Sequence, residues 1–250
     1  MTDLTGKVAL ITGSARGIGK AIAIRYAGCG ASVVVNYPSD AAEAERTAAE
    51  IRELGGSVLT VRADVSKVPE IEELFRAALD RFGRIDIVVA NAGLEVLSEP
   101  VSDATEEQFD RLFAVNTKGT FFTLQNAAKY VAEHGRIIYI GSSTTAGPLP
   151  GTGLYGASKI AARLLAGTLA LELASRGIAV NTILPTTVEG AGVFTDLAAD
   201  HPVREQLSAL RRGVRMARPE DVADAAEYFA GELSSFVSGQ SLLLTGGATF

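Results

Sequence analysis

Short apolar runs alternate along this chain with longer segments whose apolar residues recur at helical spacing. The runs are Val8 to Thr12, Ser32 to Asn36, Ser57 to Arg62, Ile85 to Ala90, Arg136 to Ile140, Ile178 to Leu184 and Gln240 to Thr245. Several are rich in β-branched residues, as in Val33-Val34-Val35, and they predict strands. Helices are predicted over Arg16 to Gly28, Ala41 to Leu54, Pro69 to Phe82, Asp103 to about Ala132, and Gly153 to Ser175. Gly55-Gly56 and Gly83 close two of them. Ser102 or Asp103 is expected to cap the fourth, which has acids in its first turn. His134, just before Gly135, reads as a helix C-terminal residue.

Strands that are apolar throughout, separated by helices, belong to a parallel sheet covered on both faces. The expected fold is α/β: a doubly wound, seven-stranded parallel sheet with helices on both sides, forming a single domain over residues 1–250. Such sheets bind ligands beyond the carboxyl ends of their strands. Chemistry is therefore sought at Gly13–Gly19, Asn36, Asp64, Asn91–Gly93, Ser142 and Pro185. Residues 186–215 break the pattern and are predicted to form a substrate lid with one or two short helices.

Composition narrows the function classes. A chain of 250 residues with 47% hydrophobic content can bury one sizeable core. The net charge of −6 and the absence of a basic tract argue against nucleic acid as a partner. The single Cys29 precludes an internal disulfide and fits a reducing compartment. The first seven residues lack a signal pattern, and no apolar run reaches about 18 residues, so a cytoplasmic protein with no membrane span is expected. Cys29, His134 and His201 have no metal-ligand spacing, so no metal is expected.

The first run leads into Gly13-Ser14-Ala15-Arg16-Gly17-Ile18-Gly19. Glycines here let the backbone turn sharply and let a pyrophosphate approach the N–H groups at a helix start. An ordinary strand-to-helix turn is the alternative. Thr12-Gly13-x-x-x-Gly17-x-Gly19 resembles the cofactor motif of the short-chain dehydrogenase/reductase family, and the resemblance runs from Lys7 to Gly247. It implies a Rossmann-type fold and a nicotinamide cofactor. By the same resemblance Asp64-Val65 contacts the adenine, with a plain helix cap as the other reading of Asp64. Asn91-Ala92-Gly93 matches a motif that flanks the cofactor ribose, where Ala90 replaces the family's Asn. Pro185 and Val188 match positions against the carboxamide, while Thr186 stands where the family has Gly.

Cofactor choice turns on the ribose corner. An acid after the second strand favours NAD, and an Arg nearby accommodates the phosphate of NADP. Asn36 appears at the acid position and Arg16 projects toward the same corner, which points to NADP as the preferred cofactor, with NAD the alternative. Arg16 also reads as a solvated helix-start residue, and Asp40 nearby weakens the preference.

Tyr155 and Lys159 lie one helical turn apart and on one face. A free phenol has a pKa of about 10. A neighbouring ammonium lowers it. Tyr-x-x-x-Lys alone is a common pattern. Thirteen residues before Tyr155, however, Ser142 follows the fifth run, at the family's Ser–Tyr spacing. Ser143 is its rival. Asn116 matches the family's fourth catalytic position, where backbone near the Asn holds a relay water. It reads otherwise as a polar residue tolerated within a helix.

The expected substrate wall is Leu94, Glu95, Thr144, Pro148, Leu149, Leu154 and the lid from Gly190 to Leu197. It is largely apolar and suits a hydrophobic or aromatic ketone or alcohol, with Glu95 placed for a polar group. Arg211, Arg212 and Arg215 either attract an acyl carrier or phosphate or form a solvated helix face. A hydrolase elbow is absent, because Gly156-Ala157-Ser158-Lys159-Ile160 lacks the closing Gly. The segment Ser238 to Gly247 resembles the family's last strand, which pairs subunits, so a homotetramer is expected. The resulting expectation is an NADP(H)-dependent oxidoreductase of ketones and secondary alcohols, similar to 3-oxoacyl-carrier-protein reductases. The alternatives are an NAD-dependent sugar, polyol or steroid dehydrogenase and a non-catalytic nucleotide sensor or scaffold.

Overall fold

The computed structural model describes residues 2–195 and 215–247. Seven strands form one sheet: β1 (Val8–Ile11), β2 (Ser32–Tyr37), β3 (Val58–Arg62), β4 (Ile85–Ala90), β5 (Val131–Ile140), β6 (Ala179–Pro185) and β7 (Ser241–Leu244). Their order is β3-β2-β1-β4-β5-β6-β7, and every neighbouring pair is parallel. The order reverses beside β1, which places the ligand crevice between the ends of β1 and β4.

Side chains alternate along each strand and so supply two cores. Ala9, Ile11, Val33, Val35, Val89 and Ile138 face one side. They pack there with α1 (Gly17–Gly28), α2 (Ala41–Glu53) and α7 (Pro219–Ala230). Leu10, Val34, Val88, Ile137 and Val180 face the other side. There they meet α3 (Val68–Phe82), α5 (Thr120–Tyr130) and α6 (Gly153–Glu172). This is the doubly wound α/β architecture expected from the apolar runs.

Three local readings are corrected. Helix α7 did not figure among the expected elements, although Pro219 at its first turn followed by Glu220 and Asp221 is a helix-start signature. It packs closely on α1, where Tyr26 donates a buried hydrogen bond to the Ala226 carbonyl at 2.8 Å. The helix expected over 103–132 is broken into four segments. A 3-10 turn covers Val101–Asp103, α4 covers Glu106–Leu112, and a π-helical segment over Phe113–Gly119 joins it to α5. The cap is Thr105, which forms a capping box with Gln108, rather than Ser102 or Asp103. His134 is not a helix C-terminal residue. Helix α5 ends at Tyr130, and His134 lies within β5 with φ of 61°, where the pairing with β4 shifts register.

Most of the expected lid, residues 196–214, lies outside the described residues, and with it Leu197, His201, Arg211 and Arg212. Its described entrance is a short 3-10 turn at Gly192–Phe194. Arg215 makes a bidentate ion pair with Asp221, at 2.6 and 2.7 Å, at the start of α7. Thr186 continues the ladder by donating its N–H to Leu244 at 3.1 Å. It is not one of the described non-glycine residues with positive φ, Ser98 and His134, so this position does not require glycine.

Candidate active site and cofactor cleft

A cleft of about 1100 Å³ opens beyond the carboxyl ends of the central strands. One end is walled by the glycine-rich turn and the residues after β2 and β3, the other by the segments after β4, β5 and β6. The sheet dictates this shape, because parallel strands release all their chain ends on one rim.

The rim is laced by short polar side chains. The Thr12 hydroxyl accepts the N–H groups of Asn91 and Ala92, each at 3.0 Å. The Asn91 amide donates to the Thr12 and Gly13 carbonyls at 2.9 and 3.1 Å. These bonds bind the ends of β1 and β4 together. A Cβ on Gly19 would lie 2.5 Å from the Gly13 carbonyl oxygen and 2.6 Å from the Asn91 amide nitrogen, so only glycine lets α1 start this close to the turn. The result is a bare backbone cradle at the N-terminus of α1, which fits a dinucleotide pyrophosphate. Gly13, Arg16, Gly17 and Ile18 line the cleft, as do Asp64, Val65, Asn91, Ala92, Gly93, Pro185 and Val188. Gly19 and Ser14 lie beneath the lining. Ser14 is fully buried and spends its hydroxyl on Ile11 and Asn36, so its side chain is not offered to a ligand.

Asn36 is placed differently from expectation. It lines the cleft, but its side chain is committed to backbone: Oδ1 accepts from Gly13 N–H at 3.0 Å, and Nδ2 donates to the Val61 and Ala63 carbonyls at 3.3 and 2.9 Å. It ties the turn to β2 and β3. The residues that follow it on the cleft wall are Tyr37, Pro38 and Ser39, which the sequence reading missed by stopping at the strand end. Asp40 accepts from Glu43 N–H and caps α2. Asp64 is not a helix cap, since Lys67 holds that position; Asp64 instead closes a turn onto Ser66 N–H at 2.9 Å.

At the other end, α6 carries Tyr155 and Lys159 into the cleft, both buried. Ser142 follows β5 and caps the 3-10 turn Ser143–Thr145. Its hydroxyl accepts from Thr144 Oγ1 at 2.9 Å, and it is the serine close enough to pull on the Tyr155 phenol. Ser143 also lines the cleft, but the pull on the phenol comes from Ser142. Lys159 Nζ donates to the Ile140 carbonyl at 3.2 Å and lies over the Tyr139 ring. A Cβ on Gly93 would lie 2.8 Å from this nitrogen, so glycine lets the segment after β4 close on the lysine.

Asn116 is fully buried in the π-helical segment. Its Oδ1 accepts from Leu94 N–H, and its Nδ2 donates to the Leu94 carbonyl, both at 2.8 Å. Nδ2 also donates to Ser158 Oγ at 2.9 Å. The side chain thus clamps the segment after β4 to α6. Of the expected substrate wall, Leu94, Glu95, Thr144, Leu149, Ala191, Gly192, Phe194 and Thr195 line the cleft. Leu154 and Pro148 do not; Leu97, Pro150 and Thr152 take their place. Leu154 precedes Tyr155 by one residue, and a helix turns that neighbour about 100° away.

Burial sets the protonation states. It holds the Tyr155 phenol well above its ordinary value, the Glu95 carboxylate adds to that rise, and the bond from Ser142 opposes it. The expected lowering by Lys159 is not found; the only downward pull comes from Ser142. Burial lowers the Lys159 ammonium to about 8, against an opposing pull from Glu95. At neutral pH the site therefore offers a protonated phenol beside a lysine that can exchange its proton.

A glycine cradle beside a buried Ser, Tyr and Lys on one doubly wound sheet defines the short-chain dehydrogenases/reductases, and the chain belongs to that family as an oxidoreductase. Residues 13–249 match the family described as Enoyl-(Acyl carrier protein) reductase. The chain is 39% identical to the hydroxynaphthalene reductase-like protein Arp2 of Metarhizium acridum, over 98% of this chain and 96% of that one. Among solved structures, a short chain dehydrogenase from Burkholderia cenocepacia in complex with NADP superposes with a TM-score of 0.91 at 32% identity, covering 98% of each chain. The angucycline C-6 ketoreductase LanV with bound NADP gives 0.91 at 36% identity, over 99% of this chain and 97% of that one.

The lowered Lys159 predicts a pH dependence of stability. Its folded pKa of about 8 lies below the ordinary 10.5, so between these values the unfolded chain holds the extra proton. Stability of the cofactor-free protein should rise with pH across that window as the penalty of burying the ammonium is relieved. Urea denaturation at pH 7, 8, 9 and 10 is expected to give a positive slope that flattens in Lys159→Met. An equal slope in the variant would refute the assignment.

Proposed function

We propose that this protein is an NADP(H)-dependent ketoreductase that interconverts a ketone or 3-oxoacyl group and a secondary alcohol. The reading is carried by the Ser142 and Tyr155 hydroxyls, which border one glycine-lined cleft with Lys159 one turn behind. Two hydroxyls converging on one point suit an oxygen that gains negative charge during reaction. The apolar wall of Leu94, Leu97, Leu149 and Phe194 suits a hydrophobic or aromatic ketone. Names among the relatives, a hydroxynaphthalene reductase-like protein and an angucycline ketoreductase, support the same chemistry.

A bound nicotinamide supplies the hydride. The residues after the turn would hold its pyrophosphate, and Asn91–Gly93, Tyr155, Lys159, Pro185 and Val188 would flank its ribose and carboxamide end. Tyr155 donates its proton to the carbonyl oxygen as charge develops there. Ser142 donates a second hydrogen bond and orients that oxygen. Lys159 returns a proton toward the phenol, through the polar path that Asn116 positions. In the oxidising direction the same groups act in reverse.

Preference for NADP rests on three features. Arg16 is exposed at the start of α1, on the cleft wall. The residues directly after β2, Pro38 and Ser39, include no carboxylate, and Asp40 is occupied as a helix cap. The two structural relatives named above hold NADP. A cytoplasmic setting is part of the same proposal and rests on the unpaired, buried Cys29. A homotetramer is also proposed, because two separate faces expose large apolar side chains. One is on α6, at Ile160, Leu164 and Leu171; the other surrounds β7, at Leu233, Phe236, Leu242 and Leu243. Two distinct self-complementary faces build a closed tetramer.

Three measurements test this reading. Tyr155→Phe should lower kcat on a ketone panel by roughly 10²–10⁴-fold, the usual worth of a positioned proton donor, and unchanged turnover would end the mechanism. Fluorescence titration should give a lower Kd for NADPH than for NADH, with Arg16→Ala narrowing the gap; tighter NADH binding would favour the NAD-dependent alternative. Light scattering after gel filtration should give four chain masses, falling in Leu164→Glu, whereas a wild-type monomer removes the tetramer.

A further inference from the structure

Helix α6 carries three long polar side chains at four-residue intervals, Tyr155, Lys159 and Arg163, and so along one face. The first two enter the cleft. Arg163 is half-buried and is not among the cleft-lining residues. Its guanidinium serves two other segments instead. Nη1 donates to the Thr145 carbonyl at 2.6 Å, and Nε donates to Ser241 Oγ, at the start of β7, at 3.2 Å.

Thr145 ends the 3-10 turn that Ser142 caps. Within that turn Thr145 donates twice to the Ser142 carbonyl, from its N–H at 3.0 Å and from Oγ1 at 2.8 Å. These bonds close the turn on itself. On the strand side Ser142 is held by the sheet, because the Gly141 N–H donates to the Ile183 carbonyl at 2.8 Å. On the other side, the bond from Arg163 is the one hydrogen bond among the described residues that joins the turn Ser143–Thr145 to α6.

A guanidinium suits this task. It stays charged, and its rigid fork of donors engages two acceptors at once. A bond from a charged donor is also stronger than a neutral one. Ser241 takes one prong and limits the swing of the side chain, while the other prong meets Thr145. The turn that carries Ser142 is thereby referenced to the helix that carries Tyr155.

We propose that Arg163 is a positioning residue that acts through Thr145 to hold the Ser142 hydroxyl in its place on the cleft wall, touching neither cofactor nor substrate itself. The inference rests on the ketoreductase reading and adds a part to its machinery. A displacement of about 1 Å in a reacting group can cost on the order of 10²-fold in rate, so loosening one of the two anchors of this turn should show in turnover.

Arg163→Met keeps the apolar stem and removes the donors. With NADPH and a ketone that the wild type reduces, kcat is expected to fall about tenfold. The Kd for NADPH, read by fluorescence titration, should not change. Arg163→Lys retains one charged donor and should recover part of the loss. The decisive measurement repeats the change in the Ser142→Ala protein. Residues that act as a unit are not additive, so Arg163→Met should there leave the residual kcat unchanged. An equal loss in both backgrounds means that the arginine acts on something other than Ser142, and it overturns the proposal. A folded Arg163→Met protein with wild-type kcat overturns it too. Circular dichroism checks folding. If Arg163→Met does not fold, Arg163→Lys carries the same comparison, since it gives up the fork: its loss should appear with Ser142 present and vanish in Ser142→Ala, and an equal loss in both, or none, overturns the role. These outcomes leave the ketoreductase reading standing. A wild-type protein that binds NADPH yet reduces no ketone overturns that reading first, and this inference with it.

Discussion

One buried amide, Asn116, is the constraint on which the site depends. It sits in the π-helical segment and bonds three groups on two other segments, the Leu94 N–H, the Leu94 carbonyl and Ser158 Oγ. Donor and acceptor are both used, which an acid or an aliphatic residue of this size cannot do. Because the pocket is fully buried, each unmade bond there would carry a desolvation cost of roughly 1–3 kcal/mol. The wide turn of the π helix is what presents the side chain inward, in keeping with the frequent use of such turns at functional sites. Neighbouring Thr117 adds a bond to the Ser158 carbonyl at 2.8 Å, so the π segment is tied to α6 at two residues.

That rigidity matters because the chemistry relies on burial. Removing water favours the neutral form of every titratable group. For Tyr155 this means a retained phenol proton, and for Lys159 a weakened hold on the ammonium proton. The two shifts run in opposite directions on the pH scale and have one cause. On the proposed mechanism they give a donor that is loaded at neutral pH and a neighbour that can reload it. Glu95 raises both values, so the segment after β4 and these two side chains are electrostatically connected.

The cofactor end is built on a different principle. Its selectivity is for shape: short side chains at Thr12 and Asn91 and bare backbone at the glycines bring β1, β4 and α1 within hydrogen-bonding distance. Asn36 belongs to this scaffold, since its amide spans the turn and the carbonyls of Val61 and Ala63. That leaves Arg16 and the residues after β2 on the cleft wall beside the turn.

Much of this was legible in the order of residues. All seven strands, their parallel arrangement, the glycine turn, and the set of Asn116, Ser142, Tyr155 and Lys159 follow from apolar runs, motif spacing and family resemblance. Helix α7 and the Thr105 cap carried ordinary signals that a reading centred on strand ends passed over. Other features left no local signal. The break of one helix into α4, a π turn and α5 depends on packing against Leu94 and Ser158, partners 22 and 42 residues away. Ser142 separates from Ser143 only by which of them acts on the phenol. Asn36 and Ser14 read as ligand-facing from their positions after strands, yet both are turned inward because unpaired backbone groups compete for them. The sequence by itself determined the architecture and marked out the candidate reacting groups, since periodicity and spacing are local properties of the chain. Only the tertiary structure decided which polar side chains remain available to a ligand, because that depends on contacts between segments far apart in sequence.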